Sequence, residues 1–355
     1  MLPKDRLKAL ISRALQDAQA AGELDFNKLP EIGLEIPRDA EHGDFASNIA
    51  LAAAKEVKKP PRDVAAIIVS RLPGNDLILK AEVAGPGFIN FFLKKDWLYK
   101  VLKTIEAEGS AYGNSERGRG QKILLEFVSA NPVGPINIVN ARAAAVGDSL
   151  ARLLKAAGCT VGTEFYVNDA GNQAEIFARS LEARYQQLSN PDYPFPAEGY
   201  PGRYVRELAL LLQEEKPDLL ELPREERLAF CKRWGTDQMV AWQKKDLHDY
   251  GADFNLWFRE RDLHDAGALK AVIEDFKRRG LLFKEEDALW FKSTDFGDDK
   301  DRVIVKSDQT YTYITADIAY HYDKLKRGYT TLINIWGPDH HGYIGRLKAA
   351  IQALG

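Results

Sequence analysis

The sequence predicts an α/β protein whose main domain is a doubly wound parallel sheet, with a small N-terminal α+β domain and a helical insertion. Residues 122–128 (KILLEFV) form a continuous apolar run, which is typical of a strand buried on both faces of a parallel sheet. Strand and helix patterns then alternate, as they do in doubly wound sheets. Before residue 108 the order differs, because Ala-rich helices precede a strand rich in Phe and Ile, residues 88–93.

The first 108 residues are expected to form one small domain. Its first helix is predicted by apolar residues that recur on one helical face, namely Leu7, Leu10, Ile11 and Leu15. A Gly-Pro-Gly turn at residues 85–87 introduces the Phe-rich strand. Residues 109–121 are small, polar and rich in glycine, and they are predicted to link this domain to the next.

The second domain is expected to span residues 122–355. Its first helix is predicted to bury a stripe that contains Ala145, Leu150 and Leu154 and to stop at Gly158. A stretch rich in Pro, Tyr and Gly then breaks the alternation, so a helical insertion is predicted at about residues 186–250. Strand and helix patterns resume after the insertion.

The composition excludes several classes of protein. Hydrophobic residues make up 45% of the chain and charged residues 28%, as in ordinary soluble domains. No stretch approaches the ~20 apolar residues that cross a bilayer, so a soluble, cytoplasmic protein without a membrane partner is expected. The net charge of -3 argues against a protein that coats nucleic acid, although a local basic face would be enough to bind one.

Candidate functional residues follow the predicted strands, because ligands of an open parallel sheet bind beyond the carboxyl ends of its strands. Three polar turns that contain glycine occupy such positions: residues 129–137 (SANPVGPIN), 168–173 (NDAGNQ) and 337–343 (GPDHHGY). The first two turns also have a purely structural interpretation. Ser, Asn and Asp side chains cap turns and helix N-termini, and Asn168, Asp169 and Gln173 have the right spacing for this role.

Asp317 is a further candidate, at a predicted transition from strand to helix. It lies four residues after Tyr313 and three before Tyr320. A carboxylate at this position can accept a guanidinium through both of its oxygens. The alternative is an acidic residue that stabilises the start of a helix through the helix dipole.

These segments resemble bacterial arginyl-tRNA synthetase, a class I aminoacyl-tRNA synthetase. The resemblance rests on EFVSANPVGPIN, FYVNDAGNQ, GDDKDRVIVKSDQTYTYITADIAYH and WGPDHHGYIGRLKAA, which stand in the family's order and spacing. In the first 108 residues, GDFASN and GPGFINFFL resemble the family's appended domain, which contacts the tRNA elbow. The segment YPGRYV fits the family's insertion. The resemblance therefore covers nearly the whole chain.

The resemblance implies ATP-dependent attachment of arginine to its tRNA through arginyl-adenylate, with Mg²⁺ accompanying ATP and no bound organic cofactor. The side chains that it implies for arginine binding are Glu126, Ser129, Asn131, Asn168, Tyr313, Asp317 and Tyr320. Those that it implies for ATP binding are Pro135, Val139, Gly337, Asp339, His340 and His341. The last three side chains invite a metal interpretation, but adjacent histidines rarely chelate one ion, so no metal site is expected.

The family's His-x-Gly-His signature is replaced in this chain. In the family it lies at the start of the first helix, where the helix N-terminus and the histidines stabilise the phosphates of ATP. Asn137 and Asn140 occupy the two histidine positions, and Val139 occupies the glycine position. An asparagine amide donates a hydrogen bond but carries no charge, and a valine would stand where the adenine stacks. The chain also ends at Gly355, before the family's lysine-containing phosphate loop and its anticodon-binding domain.

Three functions therefore remain open. The chain is a working ligase with asparagine in place of histidine, a noncatalytic paralogue that binds arginine or tRNA, or a relic or fragment without an independent role. The arginine residues are better preserved than the ATP residues, which favours the second function. The expected partners of this monomer are arginine, tRNA through the N-terminal domain, and ATP bound weakly or not at all.

Overall fold

The computed structural model describes residues 3–28 and 30–355, with the side chains of Pro338 and Asp339 outside that description. The chain forms two compact units, Met1–Tyr112 and Gly113–Gly355. None of the helices in the described residues is long and apolar enough to cross a membrane.

In its described residues, the first unit combines four α-helices with a three-stranded antiparallel sheet of order β1-β3-β2. Its elements are α1 (Pro3–Ala20), β1 (Phe45–Ser47), α2 (Ile49–Val57), α3 (Pro61–Ser70), β2 (Ile78–Ala84), β3 (Phe88–Leu93) and α4 (Asp96–Glu108). The predicted apolar face of α1 is confirmed, since Leu7, Ile11 and Leu15 are buried and Leu10 packs against the same core.

The GDFASN motif holds this small sheet together. Gly43 has a φ of 87°, and a side chain here would meet the Phe91 carbonyl oxygen at 2.6 Å, so only glycine fits. The Asp44 carboxylate accepts a hydrogen bond of 2.7 Å from the Leu93 backbone N–H. Phe45 then pairs with Phe91 across β1 and β3. These contacts give the motif a structural role that is independent of any tRNA.

The second unit contains the predicted doubly wound parallel sheet, which is confirmed. Four strands lie in the order β10-β4-β5-β6 and pair in parallel, while β7, β8 and β9 form a separate antiparallel sheet. The strands are β4 (Lys122–Glu126), β5 (Thr160–Val167), β6 (Leu256–Arg259), β7 (Leu282–Glu285), β8 (Ala288–Phe291), β9 (Arg302–Val305) and β10 (Thr331–Asn334).

The helices of the second unit surround the parallel sheet and extend beyond it. They are α5 (Ile138–Ala156), α6 (Asn172–Gln186), α7 (Arg203–Glu215), α8 (Arg224–Asp249), α9 (Glu260–Asp265), α10 (Ala268–Arg278), α11 (Tyr313–Lys326) and α12 (Ile344–Leu354). Leu150 and Leu154 of α5 pack against the sheet as predicted. In the chain, α6, α7 and α8 come between β5 and β6. These three helices pack together around the buried Phe177 and Leu181.

The predicted buried stripe of α5 was wrong at one position. Ala145 is exposed, and the buried residues of this helix are Ala144, Gly147 and Ala151. The reason is close packing against Phe127, since a side chain at Gly147 would lie 2.2 Å from that ring. Small residues therefore bring α5 close to the sheet, and the helix turns Ala145 outward.

Candidate functional site

A cavity of about 400 Å³ lies at the carboxyl ends of the parallel strands. Cavities of roughly 300–1,000 Å³ are typical of small-molecule sites. It brings together residues from the three turns that the sequence singled out. All seven side chains predicted to bind arginine line it: Glu126, Ser129, Asn131, Asn168, Tyr313, Asp317 and Tyr320. Two of the residues predicted to bind ATP, Gly337 and His340, also line it.

The backbone kinks sharply where it leaves β4. Val128 and Ser129 have φ values of 69° and 42°, in the left-handed region that a β-branched residue rarely adopts. The kink turns the Ser129 hydroxyl back towards the strand, where it donates to Glu126 Oε1 at 3.0 Å. The same hydroxyl accepts from the Tyr166 backbone N–H of β5 at 3.1 Å. Backbone strain of this kind persists where surrounding contacts hold it, and it clusters at functional sites.

The helices of the insertion hold the segment that follows the kink. Gln243 Nε2 of α8 donates to the backbone carbonyls of Asn131 at 3.1 Å and Gly134 at 2.8 Å. The Tyr204 hydroxyl of α7 donates to the Val133 carbonyl at 2.6 Å. The position of Asn131 in the cavity wall therefore depends on side chains more than 70 residues further along the chain.

The turn after β5 has a different role for each of its polar residues. Gly171 is the N-cap residue of α6, and Asn168 Oδ1 accepts from its backbone N–H at 3.2 Å. The alternative interpretation of Asp169 as a helix cap is wrong. Its buried carboxylate instead accepts from the Arg259 guanidinium and the Arg261 backbone N–H, both at 3.1 Å. Asn168 remains in the cavity wall.

Glu126, at the end of β4, is only 6% exposed and has both carboxylate oxygens engaged. Lys324 Nζ of α11, which is 0% exposed, donates to Glu126 Oε2 at 2.5 Å, while Ser129 holds the other oxygen. Burial by itself would raise the pKa of the Glu126 carboxyl. The charge and hydrogen bond of Lys324, together with the Ser129 hydroxyl and the nearby His321, hold that pKa below its usual value despite the burial.

Among the carboxylates that line the cavity, Asp317 is the one whose negative charge is least balanced by positive groups of the protein. The Tyr343 hydroxyl donates to it, but no Lys or Arg among the described residues forms an ion pair with it. Burial, together with the charges of Glu126 and Glu260, raises the pKa of the Asp317 carboxyl to about 6. It lies beyond the first turn of α11, so its interpretation as a helix-start acid is wrong.

Glu260 is a second poorly compensated carboxylate in the cavity wall, and the sequence analysis did not identify it. It is the first residue of α9 and is buried. Burial raises the pKa of its carboxyl, and its only ion-pair contact among the described residues is His264 at 3.7 Å. Tyr166, another lining residue, lies beside it, and burial raises the pKa of that phenol.

The two predicted tyrosines differ in what they can offer a ligand. The hydroxyl of the buried Tyr320 donates to Glu164 Oε1 at 2.6 Å. The Arg327 guanidinium donates to both oxygens of the same carboxylate, at 2.6 and 3.1 Å. Tyr320 therefore presents its ring to the cavity rather than its hydroxyl. Tyr313 is 67% exposed and lies at the mouth.

At the start of α5, the signature residues form hydrogen bonds within their own segment. Asn137 Oδ1 accepts from the backbone N–H groups of Val139 at 2.9 Å and Asn140 at 3.1 Å. Asn140 Oδ1 accepts in return from the Asn137 backbone N–H at 3.1 Å. This reciprocal capping box uses both amide oxygens to satisfy the helix N-terminus. Because backbone N–H groups donate to the side-chain oxygens of Asn137 and Asn140, the side-chain NH₂ groups of both residues point away from these bonds.

The apolar residues beside this cap face solvent. Ile138 is 83% exposed and Val139 is 56% exposed, and Pro135 is exposed as well. The cavity lining does not include any of these three, nor Asn137 or Asn140. The predicted signature positions therefore lie outside the lining of this cavity.

The turn after β10 contributes an aromatic wall. The Trp336 ring lies 5.5 Å from the His340 ring and 6.1 Å from the Tyr343 ring, measured between centroids. His341 instead lines a neighbouring cavity of about 440 Å³, together with His340. The side chain of Asp339 lies outside the described residues.

Known families match both units of the chain. Residues 5–93 match the family described as arginyl tRNA synthetase N terminal domain. Residues 102–336 match the family described as tRNA synthetases class I (R), catalytic domain, and this match covers more than half of the chain. The chain belongs to the arginyl-tRNA synthetase family.

Individual arginyl-tRNA synthetases agree with this assignment. An arginine–tRNA ligase from Symbiobacterium thermophilum is 49% identical over 353 residues, which are 99% of this chain and 63% of that protein. An arginyl-tRNA synthetase structure from Campylobacter jejuni superposes with a TM-score of 0.68 at 38% identity, covering 74% of this chain and 58% of that one. The structure from Thermus thermophilus, at 22% identity and a TM-score of 0.61, shares the fold and covers 100% of this chain and 63% of that one. This chain thus spans about 63% of the length of the curated relative.

Several residues in or directly behind the cavity wall of this synthetase-family chain were missed, although the sequence held a signal for most of them. His321 and Lys324 lie four and seven residues after Asp317, so all three share one face of α11. Glu260 follows β6, the one strand of the parallel sheet whose carboxyl end the sequence analysis did not consider. Tyr343 lay inside a quoted turn but was assigned no role.

Proposed function

We propose that the cavity binds arginine as the amino-acid half of an arginyl-tRNA synthetase site. The observation that carries this proposal is a pair of carboxylates in the cavity wall, the half-buried Asp317 and the buried Glu260, that have no Lys or Arg partner among the described residues. Buried carboxylates with raised pKa values bind a cation favourably, because it supplies the missing counter-charge. This wall suits a ligand that carries two cationic groups, and the cavity has room for the ligand's carboxylate.

The orientation follows from what each end of the cavity offers. The guanidinium is placed at Asp317, where a carboxylate accepts its planar fork. The α-ammonium is placed near Glu126 and the Asn131 side chain, which lie around the kink after β4. Trp336 and Tyr343 provide aromatic faces on which a guanidinium packs.

We propose that ATP binding is weak in this chain. The amide oxygens of Asn137 and Asn140 are used by the helix cap, and neither amide carries the charge that a histidine can bring to a phosphate. The branched side chain of Val139 projects from the helix start. Mg²⁺ would enter with ATP and be held largely by its phosphates, since the described residues contain no cluster of three metal-binding side chains.

The complete ligase reaction is the second candidate function. It is favoured by the orientation of the cap, because the NH₂ groups of Asn137 and Asn140 remain available as donors at a helix N-terminus. In this proposal the amides replace the histidines, arginyl-adenylate forms slowly, and tRNA binds through the N-terminal unit. The structural role of the GDFASN motif is the alternative explanation for its presence in that unit.

Two measurements separate these candidates. Titration calorimetry should show L-arginine binding to the chain more tightly than L-lysine, because an ammonium is a point charge that cannot form the fork. Equal affinities would overturn the arginine assignment. Arginine-dependent exchange between ATP and pyrophosphate should be absent on this chain alone, and clear exchange would establish the ligase candidate instead.

A further inference from the structure

Lys324 is a buried cation that the proposed arginine site does not itself use. It lies in α11 at 0% exposure and does not line the cavity. Its ammonium donates to Glu126 at 2.5 Å and to Asn334 Oδ1 at 3.3 Å, and it sits 4.0 Å from the centroid of the Tyr320 ring. Removing an ammonium from water costs free energy, and each of these contacts offsets part of that desolvation cost.

The surroundings of Glu126 would otherwise favour its neutral form. The carboxylates of Asp317 and Glu260 line the same cavity, and the negative charges of Asp317 and Glu126 disfavour each other. The titratable or charged groups near Glu126 are Lys324, His321, Asp317 and Tyr320 from α11, Tyr166 and the Arg327-paired Glu164 from β5, and Glu260 from α9. Among the described residues, Lys324 is the one cation that forms an ion pair with Glu126.

His321 cannot replace that cation. Lys324 donates to Asn334 Oδ1, which leaves the Asn334 NH₂ group to donate to His321 Nε2 at 3.0 Å. His321 Nδ1 then donates to the Asp317 backbone carbonyl at 2.8 Å. Burial and the nearby Lys324 ammonium lower the pKa of the His321 imidazole to about 4, so it stays neutral. Lys324 thus fixes the neighbouring amide and imidazole as well as the carboxylate.

We propose that Lys324 is a positioning residue that keeps Glu126 ionised and oriented to accept the α-ammonium of arginine. This inference rests on the proposed arginine site. With Lys324 in place, Glu126 is an acceptor with two fixed oxygens, one held by Lys324 and the other by Ser129. Without it, Glu126 takes up a proton, becomes a donor, and loses its attraction for an ammonium.

A ligand that lacks only the α-amino group separates this role from simple support of the fold. We expect Lys324→Met to weaken L-arginine binding at least tenfold, while 5-guanidinovalerate, which has no α-amino group, changes less than twofold. A collapse of the cavity would weaken both ligands equally and would overturn the proposal. Lys326→Met is the matched control, because Lys326 is an exposed lysine of the same helix, and it should change neither affinity.

A double substitution keeps the test decisive if Lys324→Met alone folds poorly. Lys324→Met with Glu126→Gln leaves no unpaired charge, and its arginine affinity should equal that of Glu126→Gln alone. A further loss in the double variant would show that Lys324 acts by another route and would overturn the proposal.

The ionisation of Glu126 can be followed without any ligand. Carbon-13 NMR of chain labelled at the glutamate carboxyls, with the Glu126 signal assigned through Glu126→Gln, should show its pKa rise in Lys324→Met. An unchanged pKa would overturn the inference whether or not arginine binds. Failure of the unmodified chain to bind arginine would instead overturn the proposed function.

Discussion

The cavity and the start of α5 use polar side chains in opposite ways. In the cavity, Glu126 is balanced from another helix by Lys324, and the adjoining segment is held by Gln243 from the insertion. At the start of α5, Asn137 and Asn140 bond to each other's backbone and to little else. Substituting Lys324 or Gln243 breaks contacts between elements that are far apart in the chain, whereas substituting Asn137 or Asn140 breaks only the cap of one helix. Under the proposed function, the residues proposed to bind arginine and the altered signature at α5 therefore belong to two differently held regions of the molecule.

The largest effect is expected at the cavity, from Asp317→Asn. The substitution keeps the shape and removes the counter-charge of the guanidinium, so arginine affinity should fall roughly 100-fold, or about 3 kcal/mol. Titration calorimetry at pH 8 measures it. Asp323→Asn is the control, since Asp323 lies on the same helix and pairs with Arg327. Similar losses in both variants would contradict a specific role for Asp317.

A pH titration should give the next largest effect. The pKa of Asp317 is raised to about 6, and a cationic ligand prefers its ionised form, so arginine affinity should rise with pH and level off above that value. At pH 5 we expect affinity about tenfold below the plateau. Burial also raises the pKa of Glu260, which acts in the same direction. Affinity that is flat between pH 5 and 8, or that falls as pH rises, would rule out this linkage.

At the start of α5, the comparison can be tested by restoring the His-x-Gly-His signature. The triple variant Asn137→His, Val139→Gly and Asn140→His should raise ATP affinity about fivefold, because it supplies chargeable donors and clears the adenine position. Calorimetry with ATP and Mg²⁺ measures it. Val146→Gly removes another exposed valine of α5 and should leave ATP affinity unchanged. Tight ATP binding by the unmodified chain would remove the contrast between the two regions.

The smallest effect is expected where the insertion holds the segment after β4. Tyr204→Phe deletes the hydroxyl that donates to the Val133 carbonyl, and the free energy of unfolding should fall by about 1 kcal/mol. Arginine affinity should fall about twofold through the neighbouring Asn131. Urea denaturation and calorimetry measure the two quantities. Tyr250→Phe, at an exposed tyrosine, is the control.

The sequence predicted the parts of this structure that depend on local pattern. The apolar run in β4 and the alternation after it predicted the parallel sheet, and the position of turns after strands predicted much of the cavity. The error at Ala145 arose because helical periodicity cannot show that Gly147 packs against Phe127. Lys324 was missed because a lysine in a helix ordinarily faces solvent.

Other features of the site depend on contacts between residues far apart in the chain. Nothing in the local sequence around Asn131 indicates that Gln243, 112 residues later, holds its carbonyl. The capping box is different, because two asparagines three residues apart at a helix start are a local signal. These asparagines were interpreted only as replacements for histidine, so the bonds between their side chains and backbones were not predicted.

The reciprocal cap also bears on how this segment can evolve. Asn137→His alone removes the acceptor of two backbone N–H groups, and Asn140→His alone removes the acceptor of a third. A helix cap is worth about 1 kcal/mol, so a lineage that regains one histidine at a time passes through a less stable helix at each step. The two asparagines are therefore easier to inherit together than to replace separately, and selection for helix stability is enough to retain the pair.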